Sequence, residues 1–338
     1  MPDPRAEVAV FGAGAWGTAV ACHLASRAHA RPRVVLIART REHADALRRE
    51  RRNERYLPGI ALPDALEIAA GAGAARHAEL ILVATPIGAL EGLVDALVAF
   101  DLRAPLVWLS KGFVAVGDDG AALAHRLVAP RWPSPVGVLS GPSFADEVAR
   151  GLPTALAAAA TDPALAARAA ELLRGDMLRV YETDDLVGVE VGGAVKNVLA
   201  IAAGLSDGLG YGHNARAALI TRGLAEISRL AVAEGGRRET LMGLAGLGDL
   251  VLTCTGDASR NRQVGLALAR GQPLDAILAR LGHVAEGVHA ARAARVLAHR
   301  HAIEMPITEA IARVLEGAWP VREAVEALLR REPRGEER

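Results

Sequence analysis

The side chains best suited to proton transfer in this sequence are its two lysines. The 338 residues contain 39 lysines and arginines, and only Lys111 and Lys196 are lysine, which leaves 37 arginines. An arginine keeps its charge at any working pH, whereas the pKa of a lysine amine can fall into the range where it exchanges a proton. Lys196 also interrupts the most apolar stretch of the second half, where a bare ammonium is costly to bury. Both positions are therefore candidate functional lysines.

Polar or glycine-rich interruptions could supply the rest of a substrate site. Residues 110–112 (SKG) and 140–144 (SGPSF) follow predicted strands, and ligands bind at that edge of an open α/β sheet. Residues 243–249 (GLAGLGD) form a third interruption. Residues 259–261 (SRN) precede a predicted helix and combine a hydroxyl, a guanidinium, an amide and free backbone N–H groups. This combination predicts a phosphate-binding site, although Ser259 could also serve only as a helix cap.

A dinucleotide-binding motif lies near the N-terminus. The apolar run at 8–11 is followed by GxGxxG, formed by Gly12, Gly14 and Gly17, and then by a helix start rich in small residues. In this motif the first glycine permits a tight turn, the second lets the backbone approach a pyrophosphate, and the third lets the helix pack on the strand. The pyrophosphate then lies at the helix N-terminus, which attracts anions. The spacing therefore predicts a dinucleotide cofactor.

The end of the next predicted strand bears on which dinucleotide binds. Proteins that select NAD place an acidic residue about 20 residues after the motif, where it holds the ribose 2′-hydroxyl. Here the strand ends in residues 37–41 (IARTR), without a carboxylate. Arg39 could hold a 2′-phosphate, so we expect NADPH to be preferred and NADH to be possible. The alternative is that Arg39 is an ordinary surface arginine.

The order of apolar segments predicts two domains. Short strand-like runs alternate with alanine-rich helical stretches in the first half, at 8–11, 34–37, 80–84, 106–109, 136–139 and 155–160. This alternation is typical of a parallel sheet covered by helices. After Asp184 the pattern becomes helical, with segments at 185–204, 216–234, 262–270, 274–281, 288–301, 308–316 and 321–330. We predict an α/β Rossmann-like dinucleotide-binding domain at residues 1–185 and an all-α substrate and catalytic domain at 186–338.

Composition excludes several other classes of protein. The 39 basic residues balance 39 acidic ones, so no net charge draws the chain to nucleic acid or to an anionic membrane. Two cysteines and ten scattered histidines predict neither a disulfide framework nor a metal site. No uninterrupted apolar run reaches the roughly 18–20 residues of a membrane span. We expect a cytoplasmic protein without membrane insertion, whose alanine-rich helical half could form a homodimer.

These segments, taken in order, resemble the bacterial NAD(P)-dependent glycerol-3-phosphate dehydrogenases. The resemblance covers nearly the whole chain and is most specific between residues 191 and 268. It is carried by GAGAWGTA at 12–19, NERYLPGIALP at 53–63, SKGF at 110–113, SGPSFADEVA at 140–149, the run at 191–227, MGLAGLGDLVLTCTGDASRNRQVGLAL at 242–268, VAEGV at 284–288 and EMPITEA at 304–310. Ala15 departs from the family, which often has a serine there.

The resemblance implies specific roles for residues of this chain. Lys196 would be the catalytic proton donor and acceptor, with Asp249 orienting it and with Asn197 and Thr253 as secondary candidates. The substrate-binding positions are Lys111, Gly141, Ser143, Lys196, Asp249, Ser259, Arg260 and Asn261. The cofactor-binding positions, including the glycine motif, are Gly12, Gly14, Ala15, Trp16, Gly17, Arg39, Lys111, Ala145, Arg260, Val284 and Glu286.

The implied reaction is the reversible reduction of dihydroxyacetone phosphate to sn-glycerol 3-phosphate, which supplies glycerophospholipid synthesis. A free lysine has a pKa of about 10.4, so Lys196 could act near neutral pH only if burial or a neighbouring cation lowers its pKa. Two other functions remain open. One is an NADPH-dependent 3-hydroxyacid or ketopantoate-type reductase, which would need a group that binds a carboxylate. The other is a non-catalytic dinucleotide-sensing module, which would have no need of Lys196.

Overall fold

A sheet of eight strands organises the N-terminal half of the computed structural model, which describes residues 7–27, 32–117, 120–281 and 286–330. The strands are β1 (Glu7–Phe11), β2 (Arg33–Ala38), β3 (Arg52–Asn53), β4 (Leu57–Ala61), β5 (Leu66–Ala70), β6 (Leu80–Val83), β7 (Leu106–Trp108), β8 (Val114–Val116), β9 (Gly120–Ala122), β10 (Val136–Ser140), β11 (Thr154–Ala160) and β12 (Leu178–Thr183). In the large sheet they lie in the order β12-β11-β10-β7-β6-β1-β2-β5. Two small antiparallel pairs, β3-β4 and β8-β9, stand outside it.

The order of the strands creates a binding crevice beside β1. This strand pairs in parallel with β2 on one side and with β6 on the other, so the chain leaves β1 in one direction and later returns on the opposite side. Ligands bind at such a switch point, beyond the carboxyl ends of the strands. The glycine-rich segment directly follows β1 and therefore lies in this crevice.

Helices cover the sheet and then form the described part of the second half. Those of the first half are α1 (Ala15–Ala25), α2 (Arg41–Glu50), α3 (Leu90–Ala99), α4 (Ala124–Val128), α5 (Ala145–Ala149) and α6 (Pro163–Leu173), with short 3-10 turns at Ala72–Ala75 and Ile87–Ala89. Those of the second half are α7 (Leu186–Gly208), α8 (Gly212–Ala233), α9 (Arg238–Leu241), α10 (Asp249–Thr255), α11 (Arg260–Ala269), α12 (Leu274–Leu281), α13 (Glu286–Arg300), α14 (Pro306–Leu315) and α15 (Val321–Leu329). A π-helical turn, Leu244–Gly248, precedes α10.

Helix α7 forms the centre of the helical half, and glycines allow its neighbour α11 to approach it closely. A Cβ atom at Gly204 would lie 2.1 Å from the carbonyl oxygen of Arg262. A Cβ atom at Gly265 would likewise lie 2.1 Å from the carbonyl oxygen of Ile201. Real Cβ atoms cannot come this close to backbone oxygens, so α7 and α11 pack backbone against backbone. This contact fixes the start of α11 relative to Lys196.

The same helix accounts for the strongest apolar signal of the described segments. Helix α7 is long and apolar enough to cross a membrane by length and composition, but 94% of its most apolar window is buried inside the protein. Its apolar residues pack in a cluster with those of α8, α11, α13 and α14. The hydropathy of α7 is thus explained by burial among other helices.

The predicted fold class, a Rossmann-like domain followed by a helical domain, is confirmed, and several details differ. The expectation of a purely parallel sheet is wrong at β11, which runs antiparallel to β10. The link between these strands carries only the five-residue helix α5, so β11 returns from the end at which β10 stops. The sequence analysis also missed several elements that are short or lack a clear apolar period. These are β5, β12, the two small strand pairs, α9 and α10.

Candidate active site

The two lysines of the chain meet at a single buried carboxylate. The Nζ of Lys196 donates to Oδ1 of Asp249 at 2.6 Å, and the Nζ of Lys111 donates to Oδ2 at 2.6 Å. Lys196 also donates to the hydroxyl of Thr253 at 2.7 Å. Asp249 is 1% exposed and Lys196 is 7% exposed, so both charges lie almost entirely out of water. Asp249 therefore fixes the two amines beside each other.

Three separate elements deliver these groups to one place. Lys111 follows β7, in a loop where Gly112 has a φ of +152°. Lys196 lies in the middle of α7, and Asp249 opens α10 after the π-helical turn. Helix α7 can approach the strand ends because position 193 is glycine: a Cβ atom there would lie 2.8 Å from Oγ of Ser140. The site therefore lies between the sheet and the helical half.

The environment of Lys196 lowers its pKa to about 8. Burial is the largest cause, since the charged amine loses its hydration; Asp249 partly opposes this effect, and the positive charge of Lys111 adds to it. The pKa of Asp249 is held below its usual value: burial alone would raise it, and the two lysines more than offset that effect. Lys196 is thus a group that can both give and accept a proton near neutral pH.

The carbonyl oxygen of Gly141 extends this polar cluster toward the end of β10. It accepts hydrogen bonds from Nζ of Lys111 at 3.0 Å and from the hydroxyl of Ser143 at 3.0 Å. Gly141 has a φ of +139°, a conformation that side chains rarely adopt. The structure therefore brings Gly141, Ser143, Lys111, Lys196 and Asp249 together as one group.

A chain of amides joins α11 to α7 and to α13. The Nδ2 of Asn261 donates to Oδ1 of Asn197 at 3.0 Å, while Oδ1 of Asn261 accepts from the backbone N–H of Gly287 at 3.1 Å. The hydroxyl of Ser259 accepts from the backbone N–H of Arg262 at 3.3 Å and so caps α11. The side chains of Asn261 and Ser259 thus both form hydrogen bonds within the protein. The backbone N–H groups of the first turn of α11 have no partner within the helix itself.

Opposite charges converge where α11 and α13 begin. Arg260, the first residue of α11, is exposed, and Glu286 is the first residue of α13. Burial raises the pKa of Glu286, and this effect is partly opposed by Arg260, by the two lysines and by a hydrogen bond from the backbone of Ile87. Because Ile87 follows β6, Glu286 links the helical half to the cofactor side of the sheet. Val284 lies outside the described residues.

The glycine-rich loop has the shape that a bound pyrophosphate needs. A Cβ atom at Gly12 would lie 2.8 Å from backbone atoms of Ala84, and one at Gly17 would lie 2.0 Å from the carbonyl oxygen of Gly12. Nothing lies within 4 Å of a Cβ placed at Gly14, which precedes α1 and whose helix end has no side-chain cap. Gly12 and Gly17 thus permit close packing, while Gly14 faces open space at a helix N-terminus.

The remaining predicted cofactor residues surround this loop. Ala15 is the first residue of α1, and Trp16 packs in one apolar cluster with Ala145, the first residue of α5. Arg39 is exposed directly after β2, and the backbone N–H of Gly12 donates to the carbonyl oxygen of Ile37 in that strand at 3.0 Å. The described residues that are predicted to bind cofactor therefore lie on both flanks of the crevice.

The structure adds three polar residues to which the sequence analysis gave no individual role. The hydroxyls of Thr85 and Ser140 are buried at the ends of β6 and β10, without a hydrogen-bond partner among the described residues. Asn53 is buried against the glycine-rich loop. Ser140 and Asn53 lie within segments that carry the family resemblance, yet only their positions in the folded chain indicate what they contact.

The fold and the site together define a two-domain dehydrogenase of the dinucleotide-binding type. Residues 7–166 match the N-terminal domain of the NAD-dependent glycerol-3-phosphate dehydrogenases, and residues 185–326 match their C-terminal domain. The chain belongs to the NAD-dependent glycerol-3-phosphate dehydrogenase family, and the predicted family is confirmed.

Individual relatives match over nearly their whole length. The glycerol-3-phosphate dehydrogenase (NAD(P)+) of Aromatoleum aromaticum is 56% identical over 333 residues, covering 97% of this chain and 99% of that protein. The protein of the same name from Thiobacillus denitrificans is 54% identical and covers 98% and 99%. The crystal structure of glycerol-3-phosphate dehydrogenase from Coxiella burnetii has a TM-score of 0.91 at 41% identity, covering 97% of this chain and all of that one. Both domains are therefore shared.

Proposed function

We propose that this enzyme catalyses the reversible, NAD(P)H-dependent reduction of dihydroxyacetone phosphate to sn-glycerol 3-phosphate, and so supplies glycerophospholipid synthesis. The observation that carries the proposal is the buried Lys196, whose amine lies between Asp249 and Thr253 beside a second lysine. Family membership supports the same reaction. The start of α11, with Arg260 and the positive end of the helix dipole, suits a phosphate dianion.

Lys196 acts as the proton donor in the reducing direction. When bound, the nicotinamide supplies a hydride to the carbonyl carbon, and the carbonyl oxygen gains negative charge. The protonated amine of Lys196 stabilises that charge and donates its proton, and in the reverse direction the neutral amine accepts it. Asp249 and Thr253 hold the amine in position through the two bonds described above. Lys111 contributes charge and orientation at the junction of cofactor and substrate.

The phosphate end of the substrate lies against the first turn of α11. Arg260 supplies a guanidinium, which can bind phosphate oxygens through two parallel hydrogen bonds. Ser259 and Asn261 contribute mainly by fixing that turn, because their side chains are engaged within the protein. Gly141 and Ser143 border the substrate from the sheet side. The full set proposed to bind substrate is Lys111, Gly141, Ser143, Lys196, Asp249, Ser259, Arg260 and Asn261.

The dinucleotide lies in the crevice beside β1, with NADPH preferred over NADH. The pyrophosphate binds at Gly14 and at the N-terminus of α1, and the 2′-phosphate binds to Arg39. Glu286, Lys111 and Arg260 would hold the nicotinamide end of the cofactor. The full set proposed to bind cofactor is Gly12, Gly14, Ala15, Trp16, Gly17, Arg39, Lys111, Ala145, Arg260, Val284 and Glu286.

Absorbance at 340 nm tests the reaction directly. With NADPH, we expect the enzyme to reduce dihydroxyacetone phosphate. We expect little or no reduction of ketopantoate or of a 3-oxoacid, because these substrates lack a phosphate. Efficient reduction of either carboxylate substrate would favour the 3-hydroxyacid or ketopantoate-type reductase. Tight binding of NADPH without turnover of any ketone would favour the non-catalytic sensing module. A comparison of NADH with NADPH in the same assay measures the cofactor preference.

Three further properties belong to this proposal. The domain boundary falls between residues 185 and 186, just before α7 begins at Leu186. The enzyme works in the cytoplasm, which agrees with two unpaired, buried cysteines. It forms a homodimer, which sedimentation or light scattering would detect as a species of twice the 35.2 kDa chain mass.

A further inference from the structure

A buried asparagine outside the proposed substrate-binding set contacts the loop proposed to hold the pyrophosphate. Asn53 is 2% exposed and lies in β3, outside the large sheet. Its Nδ2 donates to the carbonyl oxygen of Ala13 at 3.1 Å and to the hydroxyl of Thr18 at 2.7 Å. Thr18 lies in α1 and is fully buried. One amide group therefore joins the glycine-rich loop to the helix that follows it.

The bond to Ala13 determines which way the next N–H group points. A trans peptide is planar, and its C=O and N–H bonds point in opposite directions. The carbonyl of Ala13 points toward Asn53, so the N–H of Gly14 in the same peptide points away from Asn53. Gly14 borders open space, since nothing lies within 4 Å of a Cβ placed there. Open space beside Gly14 leaves room for a ligand next to this peptide.

The other side of the Asn53 side chain faces the region around Arg39, the residue that is predicted to bind the 2′-phosphate. His43, in the first turn of α2, interacts electrostatically with the Asn53 side chain, and its ring lies 5.7 Å from that of Tyr56. Burial lowers the pKa of His43; the interaction with Asn53 opposes this effect, and the charges of Arg55 and Arg39 add to it. Asn53 therefore lies between the end of β2 and the glycine-rich loop.

We infer that Asn53 is a positioning residue for the cofactor, which acts by aiming the N–H of Gly14 at the pyrophosphate of the dinucleotide. The inference rests on the proposed dinucleotide binding. It assigns Asn53 no contact with the cofactor itself: Asn53 holds the Ala13–Gly14 peptide, and that peptide binds the phosphate. Since the pyrophosphate is common to NADH and NADPH, the effect of Asn53 is the same for both.

The substitution Asn53→Leu tests this assignment, because leucine has nearly the same shape and no donor. We expect the Kd for NADPH and for NADH, measured by nicotinamide fluorescence in the full-length enzyme, to rise by the same factor, about ten- to hundredfold. The kcat at saturating cofactor and the KM for dihydroxyacetone phosphate should stay within about twofold of the wild type. A Kd within threefold of the wild type in a folded variant overturns the inference, as does a rise confined to NADPH.

The matched control is Thr18→Val, which removes the hydrogen bond between Asn53 and Thr18 and keeps the bond to Ala13. We expect its Kd for NADPH to remain within about threefold of the wild type. An equally large rise in Thr18→Val would show that general packing of α1, and not the loop peptide, controls affinity. If Asn53→Leu fails to fold, Asn53→Ala leaves space for water and is judged by the same limits. If the wild-type enzyme binds NADPH but turns over no substrate, the proposed function is contradicted. The Kd values of Asn53→Leu, Thr18→Val and the wild type would still decide the role of Asn53.

Discussion

The Nζ of Lys196 lies 2.6 Å from Oδ1 of Asp249, and the two residues are 7% and 1% exposed. They come from the middle of α7 and from the start of α10, 53 positions apart in the chain. The pair has a chemical consequence. Burial lowers the pKa of Lys196 to about 8, while Asp249 keeps the amine protonated enough to donate at neutral pH. A buried charge without such a partner would be strongly unfavourable.

Replacing Lys196 by arginine should abolish catalysis and spare cofactor binding. Arginine supplies a charge but cannot exchange a proton at working pH, so we expect kcat to fall about 10²- to 10⁴-fold. The Kd for NADPH should change little. The matched variant is Lys111→Arg, which keeps the charge at a site where no proton is transferred. Lys111→Arg should retain much more of the wild-type kcat than Lys196→Arg does, and its main effect should be a higher KM for dihydroxyacetone phosphate. Near-normal kcat in Lys196→Arg would refute the assignment of the proton donor.

The pH dependence of the reaction should follow the pKa of Lys196. Reduction requires the protonated amine, so kcat/KM for dihydroxyacetone phosphate should be level below about pH 8 and fall above it. Asp249 raises the pKa of Lys196, so Asp249→Asn should move this fall to lower pH and reduce the rate at pH 7. The control is Asp101→Asn. Asp101 is an exposed acidic residue with a φ of +53°, which asparagine tolerates, so this substitution should leave the pH profile unchanged. A shift to higher pH in Asp249→Asn would contradict the assigned role.

Arg260 should control affinity for the phosphate of the substrate. Loss of a charge-assisted hydrogen bond in Arg260→Ala should raise the KM for dihydroxyacetone phosphate about ten- to hundredfold. Arg270→Ala is the matched control, because Arg270 is exposed at the opposite end of α11. Steady-state kinetics at saturating NADPH measures both variants. If KM is unchanged in Arg260→Ala, the start of α11 is not the phosphate site.

Arg39 should discriminate between the two nicotinamide cofactors. Its guanidinium can bind the 2′-phosphate, which NADH lacks, so Arg39→Ala should weaken NADPH at least about tenfold and leave NADH nearly unaffected. Arg41→Ala, an exposed arginine two positions on, controls for a general loss of positive charge. The measurement is kcat/KM for each cofactor in the three proteins. If Arg39→Ala lowers kcat/KM equally for NADPH and NADH, Arg39 does not bind the 2′-phosphate.

Alanine at two glycines of the same motif should affect different properties: cofactor binding at Gly14 and folding at Gly17. Gly14 has a φ of −81° and open space around its Cβ position, so Gly14→Ala should fold with a Tm near that of the wild type. The new methyl group would occupy space needed by the pyrophosphate, and affinity for both dinucleotides should fall. Gly17→Ala would place a Cβ 2.0 Å from the carbonyl oxygen of Gly12, so its Tm should drop by several degrees or more. Equal Tm values for the two variants would contradict this distinction.

Local sequence was sufficient to predict the elements whose signals are local. The spacing of Gly12, Gly14 and Gly17 after an apolar run predicted the strand, turn and helix, because the positive φ of Gly12 and the close approach of Gly17 to Gly12 are local features of the backbone. The helices of the second half other than α9 and α10 were recognised from their apolar period and their glycine or proline boundaries. The antiparallel direction of β11 was not predicted, since direction depends on how a short connection packs rather than on the residues of the strand.

The sequence by itself determined the family, the fold class and the presence of two lysines among many arginines. Only the tertiary structure decided that Asp249 joins those lysines, because the bonds involved span 53 and 138 positions of the chain. It also decided that the Ser259 hydroxyl caps a helix and that Asn53 faces the glycine-rich loop. Such relationships depend on which buried polar groups pair when the two domains pack. A residue type states which bonds it can form, and only the folded chain selects the partner.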